Sequence, residues 1–298
     1  MNKKTLIKTV FILCLMVMPL STVADDFIRG DVDQDGKVSI TDVTTLINYL
    51  LSQQWPQEEQ TDPEVVTYVL NGIEINMVHV EGGTFTMGAS GTDTEALDNE
   101  FPAHIVTLSD YWICTTEVTQ QLWRAVMGSN PSNFTGDLLR PVEKVSTTMC
   151  KQFISKLNEM TGQNFRLPTE AEWEFAARGG NMSRGYKYAG SDDIDEVAWY
   201  SGNASSKTHP VAQKAPNELG LYDMSGNVFE RCNDWYDNYN NTDSSINPQG
   251  PITGINGTTV RVHRGGSWSS SATNCRVTSR ASAQQTVTYN YLGLRLAM

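Results

Sequence analysis

The stretch Gly220–Trp235, GLYDMSGNVFERCNDW, decides how the rest of the chain is interpreted. Its three acids, Asp223, Glu230 and Asp234, lie close together in sequence, and Gly226 and Asn227 separate the first two. Oxygen donors grouped around a glycine turn match what Ca²⁺ requires, namely six to eight oxygens, some of them from the backbone. Acids in such a loop also serve as turn caps or as a solvated surface. On these residues alone, a calcium site and a capped turn both stay open.

The first 24 residues have the pattern of a secretory signal peptide. Lys3, Lys4 and Lys8 precede an apolar run over residues 10–20, and small residues such as Ala24 follow. Such a run is too short and wrongly flanked for a stable membrane span. We therefore expect an exported protein, either secreted or located in the periplasm or at the cell surface.

The charge of the chain excludes several classes of partner. The 298 residues contain 22 Lys and Arg against 34 Asp and Glu, for a formal net charge of −12. Loss of the three lysines with the signal peptide would make the chain more acidic still. A chain of this charge repels nucleic acid and anionic lipid, so we expect neither as a partner.

Four cysteines follow the signal peptide: Cys114, Cys150, Cys232 and Cys275. No pair has the CxxC spacing of a thiolate zinc site. An exported protein can hold disulfides, and a Cys232–Cys275 bridge is our prediction if one forms. Buried free thiols that pack as small apolar groups are the other interpretation.

Residues 30–51, GDVDQDGKVSITDVTTLINYLL, have the spacing of a calcium-binding loop followed by a helix. Gly36 stands at the sharp turn, and an apolar face at helical spacing follows the loop. The ligands would be the side chains of Asp31, Asp33, Asp35 and Asp42 and the carbonyl of Lys37. The segment resembles one dockerin type I repeat, in which Asp commonly takes the last ligand position. Dockerins normally carry two repeats, so a single copy predicts a stabilising calcium clip or attachment element rather than cohesin docking.

These patterns divide the chain into four parts. Residues 1–24 form the signal peptide and residues 25–52 the dockerin-like repeat. Residues 53–72 have the polar, proline-containing composition of a linker. Residues 73–298 form the main domain.

Short apolar patterns predict the elements of that domain. Strands are expected at 73–80, 84–87 and 105–108. One helix is expected to begin at Thr116 and end at Gly128, and another to begin at Ser146 and end at Gly162. In RLPTEAEWEFAARGG, residues 166–180, a threonine and a glutamate three residues later form a capping box. Its acids therefore serve the helix start rather than catalysis.

Six motifs of the main domain occur in the order of a known family. The chain resembles the formylglycine-generating enzyme, or sulfatase-modifying factor, family over nearly all of residues 73–298. The resemblance implies an α+β fold with much irregular structure, similar to C-type lectin-like domains, preceded here by the small EF-hand-like loop and helix. The motifs are GGTFTMG (82–88), EVTQQLW (117–123), RLPTEAEWEFAARGG, GLYDMSGNVFERCNDW, RVHRGGSW (261–268) and LGLR (292–295).

The resemblance implies a second calcium site in the opening stretch. Its ligands would be the side chains of Asp223 and Glu230 and the carbonyls of Gly226 and Val228. Where the family has Trp-Glu-Trp, this chain has Phe-Glu-Arg, which keeps the acid.

The family's oxidase chemistry requires two cysteines that hold copper. Cys275 matches the second of them, but Ser270 stands where the first is expected. A serine hydroxyl is a hard, protonated oxygen at neutral pH and does not replace a thiolate on Cu(I). Formylglycine formation and copper binding are therefore not expected.

A related non-heme iron oxidase would require clustered histidines. The four histidines, His79, His104, His209 and His263, show no ligand spacing. We therefore expect a binding protein whose partner is an extracellular protein or glycan, with an oxidase of this family as the alternative.

The segment 269–291 is rich in small polar and aromatic residues suited to ligand contacts. Its position is similar to that of the variable segment in the hypervariable ligand-binding proteins of diversity-generating retroelements. Ordinary surface loops are the other interpretation of its composition.

Overall fold

In the computed structural model, residues 63–239 and 245–298 are described. The dockerin-like loop and the signal peptide lie outside these residues, and so do the calcium ligands predicted between Asp31 and Asp42. In the described part of the chain, no helix combines the length and apolarity needed to cross a membrane.

Three small sheets form the framework of the domain. The first contains β1 (Val65–Leu70), β2 (Ile73–Val80) and β5 (Tyr111–Cys114), all antiparallel. The second joins β3 (Gly83–Met87) and β4 (His104–Leu108), and β4 pairs in parallel with β7 (Ser245–Ile246). The third has the order β10-β6-β8-β9, and its members are β6 (Phe229–Trp235), β8 (Val260–Arg264), β9 (Arg280–Gln284) and β10 (Leu292–Gly293).

Strand β1 lies within the stretch predicted as linker, residues 53–72. It pairs with β2 along its whole length, from Val65 opposite Val78 to Leu70 opposite Ile73. Residues 65–72 are therefore part of the folded domain, and the linker prediction extends too far. The composition of VVTYVL is itself that of a strand, and the linker was assigned from the polar residues 52–63 that precede it.

Four α-helices connect the strands: α1 (Gln120–Met127), α2 (Thr147–Thr161), α3 (Glu170–Ala177) and the short α4 (Ile194–Val197). Ser146 and Gly162 bound α2 as predicted, and α3 has the predicted capping box of Thr169 and Glu172. The start of α1 is a correction. The Thr119 hydroxyl, not that of Thr116, accepts the capping bond from the Leu122 amide.

Two apolar clusters hold these elements together. In one, Trp173 and Phe175 of α3 pack against β2, β4, β5, β6 and β8. In the other, Trp123 of α1 stacks on Phe153 of α2 with ring centroids 4.8 Å apart. Helix α3 is buried along its whole length, including its three glutamates. The charges carried by α3 therefore need partners inside the protein.

Candidate functional site

Glu230 on β6 lies at the centre of the opening stretch, and its carboxylate is fully engaged. The Arg295 guanidinium donates to it at 2.6–3.0 Å, and Trp173 Nε1 donates to Oε2 at 2.7 Å. All three side chains are buried. Arg295 belongs to the motif LGLR, and neither spacing nor composition indicated that it would face Glu230, 65 residues away.

Glu117, another buried acid, holds the turn before β6. Asn227, at φ 56°, donates through Nδ2 to Glu117 Oε2 at 2.7 Å, and the Val228 amide donates to Glu117 Oε1 at 3.0 Å. Burial, and then the neighbouring charge of Asp223, raises the pKa of Glu117 well above its usual value. Glu117, the acid of the motif EVTQQLW, therefore stabilises the turn at residues 226–228.

Among the predicted calcium ligands, Asp223 has a carboxylate oxygen without a hydrogen-bond partner in the described chain. Its Oδ2 accepts from the Ala212 amide at 2.8 Å, while its buried Oδ1 has no hydrogen-bond partner among the described residues. Burial raises the pKa of this carboxyl to about 6. The unpartnered oxygen would suit a metal ion or a bound water.

The four predicted ligands do not fit calcium well in this arrangement. Glu230 already has a cation, Arg295, against both of its oxygens, and a dication beside that guanidinium would be repelled. Within residues 63–239 and 245–298, no group of three or more acids, histidines or cysteines is placed to hold a metal ion. Calcium at Asp223, Gly226, Val228 and Glu230 stays a prediction.

Asp234, the third acid of the stretch, has different neighbours from Glu230. Its Oδ2 accepts the amide of Glu170 at the start of α3, at 2.9 Å. Burial, and next the charge of Glu170, raises the pKa of Asp234 to about 8. It lines a cavity and does not share a site with Glu230.

The glutamates of α3 are structural, as their capping pattern indicated. Glu170 accepts two bonds from Arg280 at 2.6 and 2.8 Å. Glu174 contacts Arg178 and Arg264. These buried ion pairs join α3 to β8 and β9 and occupy the carboxylates of Glu170 and Glu174.

Ser270 and Cys275 lie on the loop after the Gly265–Gly266 turn. The Ser270 hydroxyl accepts from the Ser267 amide at 3.0 Å and lies 3.1 Å from the Ser267 hydroxyl. Cys275 is fully buried, and its sulfur packs so closely on Gly266 that a Cβ there would approach it to 2.5 Å. Burial raises the pKa of the Cys275 thiol to about 12, so it is not a ready thiolate.

All four cysteines of the described chain are free and buried. The predicted Cys232–Cys275 bridge is therefore not formed. Cys232 belongs to the core around α3, and Cys275 packs in a separate cluster with Tyr188 and Val197. The interpretation as small apolar groups is the one that the structure supports.

The four histidines occupy separate environments. His79 faces Asp110, His104 contacts the Pro102 carbonyl and His209 stacks on Trp199. His263 is buried beside Phe229, and burial followed by the charge of Arg231 lowers its pKa to about 3. The buried Nδ1 of His263 has no hydrogen-bond partner among the described residues.

An aromatic surface lies next to the Ser270 loop. We define the C-terminal aromatic face as Phe134, Phe229, Trp268, Tyr289 and Tyr291. Its rings lie against one another: Tyr289 stacks on Tyr291 at 5.0 Å, Phe229 contacts Tyr291 at 6.1 Å and Phe134 contacts Trp268 at 5.2 Å. Trp268 Nε1 donates to the Asn290 carbonyl at 3.0 Å, which joins the two groups. All five side chains reach solvent, and Tyr289 is 44% exposed.

Arg231 stands where the family has tryptophan. It forms hydrogen bonds with the segment that carries Tyr289 and Tyr291 and with the start of α2. Its guanidinium donates to the carbonyls of Val145 and Val287 at 3.0 and 2.8 Å and to the Thr147 hydroxyl at 2.9 Å. These bonds fasten the C-terminal segment to the start of α2. Sequence reasoning noted the substitution but assigned it no role.

Comparison with known proteins gives two family matches. The sulfatase-modifying factor enzyme 1-like domain matches residues 71–298, and the dockerin type I domain matches residues 29–68. The chaperone protein LppX of Paenibacillus barcinonensis is 34% identical over 68% of this chain and 81% of its own length. The formylglycine-generating enzyme of Streptomyces coelicolor is 33% identical over 59% of this chain and 57% of the enzyme.

Two solved structures share the fold. Treponema denticola variable protein 1 is 35% identical, with a TM-score of 0.70, and the match covers 79% of this chain and 99% of that protein. PvdO from Pseudomonas aeruginosa, at 24% identity and a TM-score of 0.67, covers 80% and 98%. The α+β, formylglycine-generating-enzyme fold predicted from the motifs is thus confirmed, and the chain belongs to the sulfatase-modifying factor enzyme 1-like family.

Proposed function

We propose that the protein is an exported member of this family that binds a protein or glycan ligand through the C-terminal aromatic face and does not oxidise cysteine. The observation that carries the proposal is the pairing of this exposed face with Ser270 at the position of a copper thiolate. Neighbouring aromatic rings offer large apolar area at low entropic cost, and tyrosine adds a polar tip for hydrogen bonds. The bonds from Arg231 hold the base of the face rigid, which favours binding.

The relatives support a binding function in part. One is named a chaperone and another a variable protein, and both cover most of the domain. The enzyme relatives share the fold, but their activity would need a second thiol that residue 270 lacks here. The alternative function is oxidation by copper or iron.

The dockerin type I match fits an extracellular or surface protein. We propose that Asp31, Asp33, Asp35, Asp42 and the carbonyl of Lys37 hold one calcium ion, which stabilises the N-terminal segment or its attachment to a partner. The sequence after residue 51 has no second loop with this acidic spacing, so we do not propose cohesin docking. We expect the ion to contribute to stability and not to chemistry.

Calcium stoichiometry tests this assignment. In calorimetric titration of the chelator-treated mature chain, we expect one calcium ion per molecule. An Asp33→Asn/Asp35→Asn variant should lose that ion, because two of its charged ligands become neutral. A second ion that survives in the variant would restore the predicted site at Asp223 and Glu230. Wild-type protein that binds no calcium would contradict both sites.

The C-terminal aromatic face is tested with a glycan array and a panel of extracellular proteins. Once a ligand is found, Tyr289→Ala should weaken its binding by at least about tenfold, or 1.4 kcal/mol, as for an aromatic hot-spot residue. Tyr186→Ala, a partly exposed tyrosine outside the face, should leave the affinity unchanged. Equal losses in the two variants would show that the ligand binds elsewhere.

A further inference from the structure

A cavity of about 380 Å³ lies between the start of α3 and the end of β6, and the proposed binding function does not use it. Its lining includes His104, Glu170, Asp234, Asp237, Tyr239 and Arg280. The volume is within the range of small-molecule sites, about 300–1,000 Å³. The groups that line it therefore indicate what kind of molecule it would accept.

Hydrogen bonds within the protein use four of the five N–H donors of Arg280, the cationic group of the cavity. Arg280 donates through Nε and Nη2 to Glu170, and through Nη1 to the carbonyls of Asn99 and Asp237. Its guanidinium also lies 3.6 Å from the ring centroid of Tyr239. An anionic ligand would find the charge of this arginine already paired with Glu170 and most of its donors already used.

The buried groups left over are acceptors. Asp234 is 4% exposed, and its Oδ2 accepts a hydrogen bond from the Glu170 amide. His104 uses Nδ1 toward the Pro102 carbonyl at 3.1 Å, which leaves Nε2 as an acceptor. Asp237, on the rim, accepts through Oδ1 from the Asn238 amide and keeps its second oxygen open.

Electrostatics favour the same kind of ligand. Burial, and next the charge of Glu170, raises the pKa of Asp234 to about 8, so a positive partner would stabilise its charged form. The excess of acidic residues in the chain also attracts cations.

We propose that this cavity binds a small cationic molecule whose ammonium or guanidinium head donates to Asp234, with Asp237 at the entrance. The head would supply the donors that the buried acceptors lack. The remaining volume would take a short aliphatic or aromatic body.

Calorimetric titration of the full mature chain with agmatine, spermidine and benzylamine tests this proposal, with glutarate and benzyl alcohol as anionic and neutral probes. We expect saturable binding of at least one amine and none of glutarate or benzyl alcohol. Asp234→Asn keeps the size and one acceptor but removes the charge, and should weaken amine binding by about 30-fold or more. Asp98→Asn, an exposed acid outside the cavity, matches the change in net charge and should have no effect.

Asp237→Asn gives a second test that does not disturb the buried network. It should weaken amine binding severalfold, because the rim charge is lost. No saturable binding of any amine, tighter binding of glutarate, or equal affinity in wild type and in both cavity variants would overturn the proposal.

Discussion

An Arg295→Met variant is expected to lose about 3–5 kcal/mol of unfolding free energy, because it leaves the carboxylate of Glu230 buried and uncompensated. Such a loss is a large part of the 5–15 kcal/mol that typically stabilises a domain. Urea unfolding followed by tryptophan fluorescence measures it. The double variant Glu230→Gln/Arg295→Met should regain part of the loss, since it removes both charges.

The matched control is Lys187→Met, which breaks an ion pair with Glu95 whose side chains are 36% and 45% exposed. Exposed pairs contribute little, so we expect a loss below about 1 kcal/mol. Calcium serves as a second control. If a calcium ion and not Arg295 compensated Glu230, the ion would restore the stability of Arg295→Met. Such rescue, or a loss no larger than in the control, would contradict the buried pair.

A His263→Phe variant is expected to gain stability relative to wild type as the solution is acidified. Burial lowers the folded pKa of His263 from 6.5 to about 3, so the unfolded chain binds the proton more readily. The contribution of His263 to stability is therefore fully present above pH 6.5 and lost as the pH falls toward 3. The stability difference between variant and wild type should grow by about 1.4 kcal/mol per pH unit within this window.

Chemical unfolding at several pH values between 4.5 and 7.5 measures this slope. Asp234 and Glu117, whose folded pKa values are raised, titrate in both proteins, so their contributions cancel in the difference. Phe229→Leu alters the ring that packs on His263 but keeps the imidazole. The difference in stability between Phe229→Leu and wild type should therefore change little with pH. A flat difference for His263→Phe would show that the imidazole is solvated in the folded protein.

The sequence predicted what depends on near neighbours. Helix α2 begins at Ser146 and ends at Gly162 as expected, because a capping hydroxyl and a left-handed glycine act within one turn of the residues they bound. The motifs likewise fixed the family and the fold class. Thr116 and Thr119 both precede α1, and either could cap it. The sequence pattern alone does not show which of the two does so.

Contacts between distant residues could not be predicted in the same way. Arg295 lies against Glu230, and no spacing rule links positions 65 residues apart. The anchoring of the C-terminal segment by Arg231 was missed for the same reason. Strand β1 is a different case, because VVTYVL has a strand composition and was assigned to the linker only through the polar residues before it.

We propose that one thiol and one hydroxyl, at positions 275 and 270, do not support copper-dependent oxidation of cysteine. Oxygen uptake by the purified protein, loaded with Cu(I) and given a sulfatase-motif cysteine peptide, tests it most directly, with mass spectrometry of the peptide as the readout. We expect no peptide-dependent uptake and no formylglycine product in wild type. Multiple turnovers to formylglycine by the wild-type protein would contradict this proposal.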